Sequence, residues 1–150
     1  MRRFATLIAL VLLAAGCGDS KKPADALQPS HADYVRQADA ACQRADAALA
    51  SLAQPAGVAQ LPSYARQAAD IVAAERQELK ALKPPADDRA MADELAAAMD
   101  EVVDVAQGLV AVAGGGDTQQ IEAYVAQHRS ADAKAKQVAK DLGMTICAGS

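Results

Sequence analysis

Four stretches of this chain carry apolar residues at alternating steps of three and four, a spacing that lines one face of an α-helix and fits no strand. The first runs Val35, Ala38, Cys42, Ala45, Leu49 and Leu52. Ser30 is placed to cap it, Asp33 falls in its first turn, and Gln54-Pro55-Ala56-Gly57 ends it. The second, from about Pro62 to Leu82, sets Ala65, Ala68, Val72, Leu79 and Leu82 on one face with Glu75 interrupting it, and Pro84-Pro85 breaks it. The third, from about Ala86 to Ala113, carries Met91, Leu95, Ala98, Val102, Val105, Leu109 and Val112. Asp87 and Asp88 suit the positive end of its dipole, and Gly114-Gly115-Gly116 stops it. The fourth begins at a capping-box-like Asp117 and Gln120, carries Ile121, Tyr124, His128, Ala131, Ala135, Val138 and Leu142, and stops at Gly143. Four amphipathic helices joined by short breaks predict an all-α, up-down-up-down four-helix bundle.

The core of such a bundle is thin. Alanine supplies 39 of the 150 residues, which favours helix everywhere but buries little area at each position. There is no tryptophan, and the one phenylalanine is Phe4, so aromatic side chains beyond it reduce to Tyr34, Tyr64 and Tyr124. Stacking platforms for bases, sugars or flat cofactors are hard to build from that set.

The N-terminus has a different character. Arg2-Arg3 precedes an apolar run from Phe4 to Ala15, which is too short to span a bilayer and has the layout of a secretory signal. It closes on Leu13-Ala14-Ala15-Gly16-Cys17, which resembles the lipobox of bacterial lipoproteins, where the cysteine is acylated and becomes the mature N-terminus. The resemblance implies residues 1–16 as a lipoprotein signal peptide and a lipidated Cys17 on the extracytoplasmic face of a membrane. Residues 17–30 then follow as a polar, proline-containing tether, and residues 31–150 as the bundle domain. Gly18 after the cysteine suits outer-membrane sorting in a cell with two membranes. Without Arg2 and Arg3, the remaining 13 basic and 19 acidic residues leave a net charge of −6. That balance argues against nucleic acid as a partner and against electrostatic docking on anionic lipid.

With Cys17 set aside, two thiols remain, Cys42 and Cys147, 105 positions apart in a chain expected to reach an oxidising compartment. The spacing matches neither a redox Cys-x-x-Cys nor a zinc knuckle. It favours one intramolecular disulfide over two free buried thiols or an intermolecular bridge. In that case the tail folds back, with Met144 and Ile146 covering apolar surface between the first and fourth helices.

Candidate chemistry centres on His128. It lies on the apolar seam of helix four with Asp132 one turn on, and helix rise brings Glu75 and Met99 to a similar height. A histidine, a methionine and a carboxylate in a bundle interior are ligand types for a metal or a haem iron. The plainer expectation is a boundary histidine satisfied by a carboxylate or water, with Glu75 snorkelling or paired and no cofactor bound. The Gly114–Gly116 loop lacks the Gly-Lys-Ser/Thr ending of a phosphate cradle, and no nucleophile elbow or zinc-protease motif occurs, so no enzyme is expected. Asp93, Glu94, Asp100, Glu101 and Asp104 read as a solvated face, and Lys134, Lys136 and Lys140 as complements to the helix-four dipole.

The opening Tyr-Val-x-x-Ala-Asp-Ala-x-Cys (Tyr34 to Cys42), the Leu-Lys-Pro-Pro junction (Leu82 to Pro85) and the Leu-Gly-Met-Thr-Ile-Cys ending (Leu142 to Cys147) carry a second likeness. Together with the lipobox, the chain resembles small alanine-rich lipoproteins of actinobacteria and their relatives. The resemblance implies a location and a cysteine pairing, and no activity. The expectation for function is a non-catalytic envelope lipoprotein whose bundle contacts another envelope protein or serves as an accessory binding module. The alternative is a metal- or haem-binding bundle centred on His128.

Overall fold

The computed structural model describes residues 29–149, so the apolar N-terminal run, Cys17 and most of the tether lie outside the described residues. Four helices follow in order: α1 His31–Ser51, α2 Leu61–Ala81, α3 Arg89–Ala113 and α4 Thr118–Asp141. Single 3₁₀ turns at Val58–Gln60 and Ala86–Asp88 lead into α2 and α3. Among the described residues there is no strand, and no helix is long and apolar enough to cross a membrane. The chain forms the expected bundle, with α1 packed on α2, α2 on α3 and α3 on α4.

The capping residues do what their chemistry predicts. The Ser30 hydroxyl accepts from the Asp33 amide, and the Asp117 carboxylate accepts from the Gln120 amide, so each satisfies a donor that the first helical turn leaves open. The Gln120 side chain donates to the Asp117 carboxylate rather than to its backbone, a variation on the capping box. At the other end of α4, Gly143 adopts φ +79°. Its amide donates to the Lys140 carbonyl, and the Met144 amide to the Ala139 carbonyl. This is a Schellman stop, which turns the tail back towards α1. The start of α3 differs from expectation: Ala86–Asp88 is a 3₁₀ turn, and Asp88 is buried against the first helix. Its carboxylate lies 2.7 Å from His31 Nδ1, which links the beginnings of α1 and α3.

Ten of the 22 buried apolar residues among those described are alanines. Small side chains let helices approach closely, and the interior is filled by a few larger groups: Tyr34, Leu79, Leu95, Met99, Leu142 and Met144. Two seams drift from their sequence pattern. In α1 the buried stripe is Tyr34, Ala38, Ala41, Cys42 and Ala45, leaving Val35 half-exposed. In α3 the expected Leu95, Ala98 and Val102 are buried, and the buried set widens to Met99, Val103, Ala106 and Ala113, because this helix is enclosed by α2 on one side and α4 on the other. A close approach between α3 and α4 falls at Gly108, where a built Cβ would sit 2.3 Å from Tyr124 Cε1. The tyrosine ring therefore occupies the place of a side chain at that position.

The tail closes the bundle. Cys42 and Cys147 are joined as a disulfide, with Cα atoms 5.2 Å apart. One α1 carboxylate, Asp39, accepts from the Thr145 amide (3.0 Å), the Thr145 hydroxyl (3.0 Å), the Ile146 amide (2.9 Å) and the Cys147 amide (3.2 Å). Partial burial pushes the Asp39 carboxyl upward, but these hydrogen bonds outweigh it and hold the group below its usual range. Met144 is buried as expected; Ile146 is not, at 38% exposure, because the Asp39 clamp turns its side chain outward. The acidic face of α3 is also more connected than its sequence implied. Asp100 pairs with Arg76 and Lys80, and Glu101 with Lys134, so these residues tie α3 to both neighbours.

The loop closed by the disulfide spans 105 positions, for which chain entropy gives a stabilisation of up to about 5 kcal/mol. Cys147→Ser is therefore expected to lower the urea midpoint by a large fraction of the total stability. Intact-mass measurement on unreduced native protein should show neither Cys42 nor Cys147 alkylated. Alkylation of both without reductant would contradict the pairing.

Candidate functional site

The bundle encloses a cavity of about 240 Å³ at mid-height, walled by all four helices and by the Cys42–Cys147 disulfide. Each helix contributes differently. From α1 come Asp46 and Leu49, from α2 Val72, Glu75 and Leu79, and from α3 the apolar trio Leu95, Met99 and Val102. α4 supplies His128, Asp132 and Lys136. Asp46, Leu49, Glu75, His128, Asp132 and Lys136 are all half-exposed, which marks the side on which the cavity meets solvent, between α1 and α4.

A second cavity of about 250 Å³ adjoins the first and shares Val72 and His128 with it. It lies between the first half of α2, the second half of α3 and the first half of α4, and α1 takes no part in it. Its wall is apolar apart from Tyr64 and His128, with Ala65, Ala106, Leu109 and Val125 typical of the lining. The first cavity is thus carboxylate-bearing and the second is greasy.

Glu75, Met99 and His128, which helix rise placed at one height, do line the same cavity. The detail expected around His128 is different. Asp132 forms an ion pair with Lys136 at 2.8 Å, and among the described residues it makes no hydrogen bond to His128. Lys136 belongs to this pair, one turn along the same helix, rather than to the C-terminal end of the dipole. Among the described residues no group of three or more His, Cys, Asp or Glu side chains is placed to hold a metal ion. Glu75 is not paired: among the described residues neither Glu75 nor Asp46 has a hydrogen bond or ion pair, and both are half-exposed. Asp46 was not anticipated from sequence, although its position four residues after Cys42 puts it on the same stripe of α1.

An unpaired carboxylate in a low-dielectric space is costly to ionise. Burial raises the Glu75 carboxyl from 4.5 to about 7; Asp46, Asp132 and Glu78 push the same way, and Lys136 opposes them. The cavity therefore holds an acid that changes charge near neutrality, facing a second carboxylate across from it on α1.

Comparison with family models, with curated proteins and with solved structures gives no match to this chain.

Because the folded-state value of Glu75 lies above the unfolded one, the native protein binds more protons than the unfolded chain between about pH 4.5 and 7. Stability contributed here is greatest below 4.5 and declines as pH rises through 7. Glu75→Gln should remove that slope. At pH 8 the variant is expected to exceed the parent in stability by up to about 3 kcal/mol, and at pH 4.5 to match it, as read by urea unfolding at both values. Equal stability at pH 8 would show that Glu75 is solvated.

Proposed function

We propose that this chain is a membrane-anchored envelope lipoprotein whose helical domain is a non-catalytic accessory binding module, with the two neighbouring cavities as its binding site. The observation that carries the binding role is the cavity pair itself. A well-formed concave space, mostly apolar and provided with a few convergent polar groups, is the usual form of a small-molecule site. Here it is kept open although the alanine-rich core has little stability to spare, and it contains an acid left without a partner. The anchor rests on the lipobox-like Leu13–Cys17 segment and the polar tether that follows it. An envelope protein that delivers ligand to the domain or receives it is the partner this arrangement implies.

The second reading, a metal or haem held at His128, has in its favour that Glu75, Met99 and His128 line one cavity. Elemental analysis and an absorption spectrum of protein purified from its own host decide it. Stoichiometric metal or a Soret band would replace the first reading.

Two measurements test the first. Fatty-acid labelling in cells should mark the parent and not Cys17→Ser; each buried methylene of an acyl chain contributes about 0.8 kcal/mol to membrane attachment. Equal labelling of both would remove the anchor. For the cavity, the neutral single-ring probe p-xylene should bind the oxidised full-length Cys17→Ser chain once per molecule, as read by calorimetry. Ala106→Leu, which fills the apolar chamber, should abolish that signal. Binding unaffected by Ala106→Leu lies elsewhere on the chain and overturns the site.

A further inference from the structure

Taking the two neighbouring cavities as the binding site proposed above, we infer that their ligand is a small organic cation with an apolar body, its ammonium head between Asp46 and Glu75 and its tail passing Val72 and His128 into the chamber of α2, α3 and α4.

The charge balance of the lower cavity selects the class. Three carboxylates face it, from Asp46 on α1, Glu75 on α2 and Asp132 on α4. The two basic side chains that face it, Lys136 and His128, both come from α4, and Lys136 is already paired with Asp132 at 2.8 Å. α3 presents only Leu95, Met99 and Val102 on this side, and the neighbouring Glu78 of α2 is engaged by Arg44 on the outer surface. What remains is two carboxylates on facing helices without a cation between them. An anionic ligand would meet two carboxylates with no cation between them, and a neutral one would bring them no positive charge. An ammonium group supplies N–H donors and positive charge together, and hydrogen bonds between ionised partners are the strong ones.

The adjoining chamber selects the body. Its lining of alanine, leucine, valine and tyrosine carbon offers nothing for a polar tail to bond, and at about 250 Å³ it has room for a short alkyl chain or a single ring. Val72 and His128 line both volumes, so a site for the head and a site for the body lie side by side across these two side chains. Bound cation favours the ionised form of Glu75, which empties a proton into solution when binding takes place near or below pH 7.

Calorimetry on the oxidised full-length Cys17→Ser chain at pH 8, with octylammonium, octanol and octanoate as matched probes, tests this. Octylammonium should bind once per chain and at least about tenfold more tightly than octanol, with octanoate weakest. Glu75→Gln should bring octylammonium down to the level of octanol, and Asp46→Asn should weaken it in the same direction. At pH 6.5, titrations in buffers of different ionisation enthalpy should reveal proton release that Glu75→Gln lacks. Equal affinity for octylammonium and octanol, or octylammonium binding unchanged by Glu75→Gln, overturns the cationic class while the cavity stands as a binding site. If none of the three probes binds to folded protein, the cationic class and the binding reading fall together.

Discussion

A four-helix bundle is a closed ring, and in this one the fourth side is made by a strap instead of by helix packing. α1 meets α2, α2 meets α3 and α3 meets α4 through extensive contact, whereas α1 and α4 are not brought together in that way. They are joined by the six residues after α4, through the disulfide to Cys42 and the four hydrogen bonds to Asp39. The two devices reinforce each other. The covalent link limits how far the tail strays, which lowers the entropy lost when three consecutive residues order their donors on one carboxylate. An ionised acceptor makes each of those bonds stronger than a neutral one would be. Because the strap closes the ring at one end only, the space between α1 and α4 above it is left unfilled.

Most of this architecture is legible in the sequence, since it depends on local rules. Alternating steps of three and four, prolines at Pro84 and Pro85, and caps at Ser30 and Asp117 place all four helices to within a few residues. What the pattern does not contain is rotation of each helix about its axis. α3 has neighbours on two sides, so Met99, Val103 and Ala106 are buried although they lie beside the predicted stripe. The Asp39 clamp is also invisible locally. An aspartate in the middle of an amphipathic helix reads as a solvated residue, and its partners are backbone amides more than a hundred positions away.

The candidate site was half legible for a related reason. Helix rise depends on sequence position alone, so it brings Glu75, Met99 and His128 to one cavity. Pairing depends on which side chains reach each other. His128 and Lys136 lie four residues to either side of Asp132 on the same helix, and it is Lys136 that pairs with it. Glu75 interrupts its seam conspicuously, but only the structure shows that no basic group takes it up. Arg76 and Lys80, its nearest basic neighbours on α2, are both committed to Asp100.

The end of α1 marks where the apolar chamber lies. At 1.5 Å per residue, α3 with 25 residues and α4 with 24 are roughly 5 Å longer than α1 and α2 with 21 each. α1 ends at Ser51 and takes no part in the chamber, while α2, α3 and α4 continue around it. Three helices lined by alanine cannot fill the volume a fourth would have occupied, since an alanine side chain ends at its β-carbon. Larger residues at Ala65, Ala69 or Ala106 would close it and add buried area, a gain that a core this thin does not take. The same logic holds at the polar end, where an apolar residue in place of Glu75 would remove the desolvation cost of a half-buried acid. Both ends of the space give up stability at positions where a simple substitution would recover it. Positions of that kind are where proteins place their functional sites, and here they adjoin one another at Val72 and His128.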